Sequence, residues 1–129
     1  MKHILKKLLS GLCLISVSMP AFGNELVDSL YLELEHASTP EDSIVVMGNL
    51  FDVLPRFNAT QMGWKLYEVA ERTQKDIIAL EMIRSLANRS VRNDSILCDL
   101  YDRALKYPES PERTETLIFI NLHRNVYHA

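Results

Sequence analysis

The apolar residues of this chain recur every three or four positions, which is the period of helices that bury one face. The pattern is clearest where Leu26, Leu30 and Leu34 form one stripe. Residues that commonly start helices precede the later apolar runs. We therefore predict an all-α fold of about six antiparallel helices, at residues 25 to 36, at 40 to 54, from Asn58 or Thr60 to Arg72, from Thr73 through Ala87, from Asn93 or Asp94 to Leu105, and from Pro111 through Leu122.

Three of these helix starts share one chemistry. Thr39 and Ser110 are each followed by a proline and an acidic residue, and Thr73 is followed three positions later by Asp76. A hydroxyl at this position accepts a backbone hydrogen bond, proline suits the first helical position, and early acidic residues complement the helix dipole. We expect these three hydroxyl residues to be helix caps.

Two segments leave more room for interpretation. The second helix contains the apolar pattern Ile44-x-x-Met47-Gly48-x-x-Phe51, which we expect, together with Leu54, to face inward. The last apolar run, residues 117 to 122, also has high β-propensity. Because a helix start precedes residues 117 to 122 and no partner strand is evident, we interpret these residues as helical.

Alternate helix starts recur at a nearly constant interval. Thr39 and Thr73 are 34 residues apart, Asn58 and Asn93 are 35 apart, and Thr73 and Ser110 are 37 apart. This spacing suggests helical hairpins repeated in tandem, and the alternative is a single irregular bundle.

The sequence itself repeats at the same interval. Residues 66 to 72, Leu-Tyr-Glu-Val-Ala-Glu-Arg, match residues 100 to 106, Leu-Tyr-Asp-Arg-Ala-Leu-Lys, at an offset of 34. With the pattern from Ile44 to Phe51, residues 39 to 122 resemble tetratricopeptide repeats, whose helical hairpins recur at about 34 residues. HEAT repeats are the second resemblance, through a turn at residues 90 to 92. Either resemblance implies a surface that binds proteins or peptides.

The amino terminus is typical of a secretory signal peptide. Three lysines precede an apolar run at residues 8 to 19, and Ala21 and Gly23 suit the small positions of a cleavage site. The run is about 12 residues long, whereas a helix needs roughly 20 to span a bilayer. We predict a signal peptide at residues 1–23, cleaved after Gly23, and an all-helical domain at residues 24–129.

Cleavage would change the charge of the chain. The 14 basic residues lose three lysines, which leaves 11 against 17 acidic residues and a formal net charge of −6 instead of −3. A chain this acidic is a poor candidate for binding nucleic acid or an anionic membrane. We expect a periplasmic or secreted protein, and the short lysine-rich signal indicates a bacterial source.

Few residues carry candidate chemistry. After cleavage Cys98 is the single cysteine, and its apolar neighbours favour a buried, inert thiol over an intermolecular disulfide. Glu33 and His36 lie three positions apart on one helical face, a spacing found in metal sites, but no second such pair occurs. His123 and His128 are five apart, which does not suit a helical ligand pair. We assign no catalytic residue, no cofactor and no metal ligand.

The aromatic residues Trp64, Tyr67 and Tyr101 could line a concave binding surface or could serve in packing, and we favour packing. We expect a non-enzymatic, exported protein that binds another protein through a helical-repeat-like surface. One alternative is a small periplasmic immunity or inhibitor protein against a toxin or hydrolase. The other is a small helical ligand- or metal-binding domain that uses Glu33 and His36.

Overall fold

The computed structural model describes residues 19–128, which form six helices and no strand. The all-α class predicted from the sequence is confirmed for this range, including a helix at residues 117 to 122. None of these helices is both long and apolar enough to cross a membrane. The helices are α1 (Met19–Glu35), α2 (Pro40–Val53), α3 (Arg56–Arg72), α4 (Asp76–Arg89), α5 (Asp94–Leu105) and α6 (Pro111–His128).

Most of the predicted signal peptide lies outside the described residues. Its last five residues, 19–23, belong to α1, which therefore includes residues before the predicted start at residue 25. Cleavage after Gly23 stays a prediction.

Three helix starts are formed as predicted. In each, the side chain of the capping residue accepts a hydrogen bond from the backbone N–H three positions later, at the start of α2, α5 or α6. The pairs are Thr39 with Asp42 at 3.1 Å, Asn93 with Ile96 at 3.2 Å and Ser110 with Arg113 at 3.1 Å.

The predicted start of α3 at Asn58 or Thr60 is wrong. Leu54 precedes Pro55 and has a ψ of 152°, the extended conformation to which proline restricts its predecessor. The Pro55 carbonyl then accepts the first backbone hydrogen bond of α3 at 2.8 Å, so the helix begins at Arg56. Thr60 lies inside the helix, where its hydroxyl donates to the Arg56 carbonyl at 2.9 Å.

The predicted start of α4 at Thr73 is also wrong. The backbone N–H and the hydroxyl of Thr73 both donate to the Val69 carbonyl, at 3.0 and 2.7 Å, so Thr73 completes the last turn of α3 directly after Arg72. Gln74 follows with a φ of 59°, in the left-handed region that commonly terminates helices. α4 begins at Asp76, and Lys75 occupies the capping position without a side-chain hydrogen bond.

Helix order and packing are compatible with a helical repeat. Starts of alternate helices lie 36 residues apart for α2 and α4, 38 for α3 and α5, and 35 for α4 and α6. For the first two pairs, these intervals are longer than the predicted ones, because α4 begins after Thr73 and α3 begins before Asn58.

The described chain divides into two compact units, one ending at Met62 and one beginning at Gly63. In the first unit, α1 packs against α2. Leu30, Val46, Leu50 and Met62 form its buried apolar cluster. Leu26 and Leu34 pack against these at the sides, as the predicted stripe of α1 requires.

The predicted inward face of α2 is confirmed in part. Met47 and Leu54 are half-buried and pack against the core of the first unit, but the fully buried residues of the helix are Val46 and Leu50. Residues 44 to 47 are all apolar, so periodicity alone cannot choose the buried face. A Cβ atom added at Gly48 would meet no atom within 4 Å, so no close packing requires glycine there.

In the second unit, α4, α5 and α6 each pack against the other two. The first turns of α4 and α6 line one pocket, so both helices begin at the same end. α5 runs antiparallel to α6, because Asp94 at its start pairs with Arg124 near the end of α6 at 2.8 Å. The core residues contributed by these helices are Ala79, Leu80, Met82, Ile83, Leu86, Ala87, Leu97, Leu100, Ala104 and Ile120.

Candidate functional site

Glu33 and His36, the pair considered for a ligand or metal site, lie in different surroundings. Glu33 is 8% exposed, and neither of its carboxylate oxygens has a hydrogen-bond partner among the described residues. His36 is exposed, one position beyond the end of α1. Within residues 19–128, no group of three or more His, Cys, Asp or Glu side chains is placed to hold a metal ion.

Cys98 is a free, half-buried thiol, less enclosed than the sequence predicted. Its Sγ donates to one carboxylate oxygen of Asp94 at 3.7 Å, and the other oxygen accepts from Nε of Arg124 at 2.8 Å. The thiol therefore lies beside an ion pair that joins α5 to α6.

His123 is occupied by contacts within its own helix. Its Nδ1 lies 2.9 Å from the Phe119 carbonyl oxygen, and the two ring centroids are 4.1 Å apart. The side chain of His128, the other member of the predicted surface pair, lies outside the described part of the chain. These contacts give His123 a local packing role.

Trp64 and Tyr67 pack around a basic side chain. The guanidinium carbon of Arg103 is 5.4 Å from the Trp64 ring centroid and 5.5 Å from that of Tyr67, within cation–π range. The two rings meet edge to face, with centroids 6.2 Å apart. The Tyr67 hydroxyl donates to the Glu71 carboxylate and accepts from the Tyr107 hydroxyl at 3.5 Å.

The three aromatic residues considered for a binding surface differ in burial. Tyr67 is fully buried, while Trp64 and Tyr101 are half-buried. Burial raises the pKa of the Tyr67 hydroxyl, and its hydrogen bond to Glu71 adds to the effect. Burial also raises the pKa of the Tyr107 hydroxyl. A buried, hydrogen-bonded tyrosine is unavailable to a partner, so at Tyr67 packing accounts for the aromatic side chain.

An open pocket of about 480 Å³ lies between the first turns of α4 and α6. Its wall is mostly apolar and is formed by Ile77, Ile78, Leu80 and Pro108. Ile77 is 55% exposed, so it presents an apolar side chain to anything that enters. The volume falls in the range of about 300 to 1,000 Å³ that is usual for ligand-binding clefts.

Carboxylates outnumber basic side chains around this pocket. It shares Glu112 with an adjoining pocket of about 240 Å³ between the same two helices. The charged side chains that line the two pockets are Lys75, Asp76, Glu81, Arg84, Glu112 and Glu115. We call the two pockets together the α4–α6 groove, and its four carboxylates against two basic groups give it a formal charge of −2.

A second feature is an apolar stripe on the outer face of α6. Ile118, Leu122 and Val126 are spaced four residues apart, which places them on one face, and they are 53%, 58% and 75% exposed. Thr116 and Ile120 on the inner face are buried. We call the three exposed residues the α6 stripe. Contiguous exposed apolar side chains commonly mark interaction surfaces.

Neither surface was predicted from the sequence. The α4–α6 groove combines residues more than 30 positions apart and has no local motif. Ile118 and Leu122 belong to the apolar run at residues 117 to 122, whose buried face was not predicted, and Val126 lies beyond that run. No protein-family model, curated protein or solved structure matches the chain.

Proposed function

We propose that this protein is an exported, non-enzymatic binding protein whose helical hairpins, arranged in a tetratricopeptide-like way, present a surface to another protein. The α6 stripe is the observation that carries the proposal. Three neighbouring apolar side chains are exposed on one helix face although the other face already supplies the core. The lysine-rich segment and the apolar run at the amino terminus support export to the periplasm or the exterior.

Energetics favour a covered α6 stripe. Burying a fully exposed side chain of this kind contributes about 1.5 to 3 kcal/mol, and covering these three, which are 53% to 75% exposed, contributes the corresponding part of that amount for each. The α6 stripe lies in contact with water in the described structure, and this favours a partner that packs on it.

The test compares two leucine variants in capture from an envelope extract of the source organism. Leu122 and Leu32 are both 58% exposed, but only Leu122 lies on the α6 stripe. We expect tagged wild-type protein and Leu32→Glu to retain the same partner, and Leu122→Glu to lose it. Retention by Leu122→Glu, or equal loss in both variants, would contradict a binding role for the α6 stripe.

A second candidate function is inhibition of a basic toxin or hydrolase, that is, an immunity protein. The charge of the α4–α6 groove favours this candidate, because an acidic groove complements a basic active-site cleft. Such a partner would be retained tightly and in 1:1 ratio, and its activity would fall on binding. A captured partner whose activity is unchanged on binding would contradict the inhibitor function and would still agree with the general protein-binding function.

A further inference from the structure

We propose that the α4–α6 groove binds an extended basic segment of a partner protein. One apolar side chain of the segment occupies the pocket of about 480 Å³, and a neighbouring lysine or arginine contacts the carboxylates of the groove. This inference rests on the proposed protein-binding function and adds the chemistry of the bound segment. It concerns a surface separate from the α6 stripe, so each can fail alone.

The apolar part of the argument comes from the wall of the larger pocket. Ile77, Ile78 and Pro108 surround an open volume that exceeds one aliphatic or aromatic side chain. Water in contact with this wall is released when an apolar group enters, which favours binding. The open side of the pocket allows the chain that carries the side chain to continue past it.

The charge of the groove selects a basic occupant. Helix amino termini ordinarily attract anions, but the first turns of α4 and α6 already contain Asp76 and Glu112. An acidic ligand would meet both carboxylates on entering the pocket. A lysine or arginine beside the apolar side chain would instead be attracted by them.

The two basic groups of the groove do not reverse this preference. Arg84 pairs with Glu115 at 3.4 Å, so part of its charge is already matched. Lys75 also has an interaction within the protein. Of the four carboxylates, Asp76, Glu81 and Glu112 therefore dominate the field that a bound segment would meet.

The test uses three blocked, dye-labelled pentapeptides and the purified protein. The probe is acetyl-Gly-Lys-Phe-Arg-Gly-amide, one control replaces its Phe with Gly, and the other replaces Lys and Arg with Glu. We expect the probe to bind with Kd below about 1 mM and both controls to bind at least about tenfold more weakly. Raising the salt concentration from about 0.05 M to about 0.5 M should weaken the probe, because screening reduces its attraction to the groove.

Two groove variants and two matched controls locate the site. Glu112→Gln and Ile77→Ala should each weaken the probe by about threefold or more. Glu68→Gln and Leu105→Ala, which change exposed residues that do not line the groove, should leave its affinity unchanged. Circular dichroism on all four variants establishes that each remains folded.

Several results would overturn the inference. They are absence of probe binding at about 1 mM, equal binding of the Gly control or the Glu control, and equal effects of groove and control variants. Displacement of the probe by decanoate, an apolar anion, or by self-association of the protein would assign the pocket to another occupant. Partner capture that depends on Leu122 without any probe binding would overturn the groove alone, and probe binding without such capture would overturn the α6 stripe alone.

Discussion

Glu33 is a buried carboxylate whose oxygens have no hydrogen-bond partner among the described residues. Burying such a group without compensation costs free energy, so replacing it with an apolar side chain of similar length should stabilise the protein. We expect Glu33→Met to raise the free energy of unfolding by about 1 to 3 kcal/mol in urea denaturation.

The exposed Glu35, on the same helix, provides the matched control for this substitution. Glu35→Met should change stability by no more than about 0.5 kcal/mol. A destabilised Glu33→Met would mean that the carboxylate has a cation or donor in the native protein, and would revive the ligand-binding alternative.

Tyr67 and Tyr107 make stability depend on pH in the alkaline range. Their folded-state pKa values are raised, above all by burial, so the unfolded chain releases these protons at lower pH than the folded one. Stability from these groups is fully present below pH 10 and falls as pH rises above it, by up to about 1.4 kcal/mol per pH unit for each proton. We expect urea unfolding to show this loss between about pH 10 and 11.

Single substitutions separate this effect from other alkaline titrations. Tyr67→Phe should reduce the loss of stability above pH 10, because the hydroxyl whose pKa is raised in the folded state is then missing. Tyr31→Phe, at an exposed position, should leave the slope as in the wild type. An identical slope in wild type and Tyr67→Phe would contradict the pKa assignment.

At the scale of a helix, substitutions at two threonines compare a residue that caps a helix with one that lies inside a helix. Thr39 accepts a hydrogen bond from a backbone N–H of α2, whereas Thr60 lies inside α3 and donates to a carbonyl of the preceding turn. We expect Thr39→Ala to lower the free energy of unfolding by about 1 kcal/mol. Thr60→Ala should cost less, because alanine has the higher helix propensity and no cap is lost. Equal costs in thermal unfolding would contradict this distinction.

Helix starts were predictable where one side chain and its own backbone decide them. Asn93 and Ser110 are such cases, and both caps are formed. The start of α3 depends instead on how Pro55 restricts its neighbour, and the end of α3 depends on a left-handed Gln74, a conformation uncommon outside glycine. A Thr-x-x-Asp pattern at Thr73 therefore predicted a cap where the chain was still completing the previous helix.

Features that need the packed molecule could not be predicted. The buried face of α2 was predicted only in part, because its apolar residues surround much of the helix and Val46 and Leu50 are the two that the structure buries fully. The α4–α6 groove was missed for a different reason, since Ile77 and Pro108 come together only when α4 and α6 begin at the same end. The fold class can be predicted from the local pattern of apolar residues. The α4–α6 groove cannot, because it depends on helix order and packing.

At the scale of the whole molecule, the proposed export predicts that the mature protein folds without residues 1–23. The described apolar core of the first unit extends from Leu26 to Met62, and the second unit begins at Gly63. Cleavage after Gly23 would remove residues 19–23 from α1 and leave every one of these core residues in place. We expect a chain of residues 24–129 to fold with the same helix packing.

The measurement combines cell fractionation with sequencing of the amino terminus. Full-length chain expressed in a bacterium should appear in the periplasm or medium with Asn24 as its first residue, because a lysine-rich segment followed by an apolar run directs export. Replacing Lys2, Lys6 and Lys7 with glutamate removes the positive segment and should leave uncleaved protein in the cytoplasm.

Residues 24–129 produced directly should unfold cooperatively at the same temperature as the exported protein, because the apolar core of the first unit begins at Leu26. Uncleaved wild-type protein that stays inside the cell would contradict export, and loss of folding in residues 24–129 would show that α1 needs residues before Asn24.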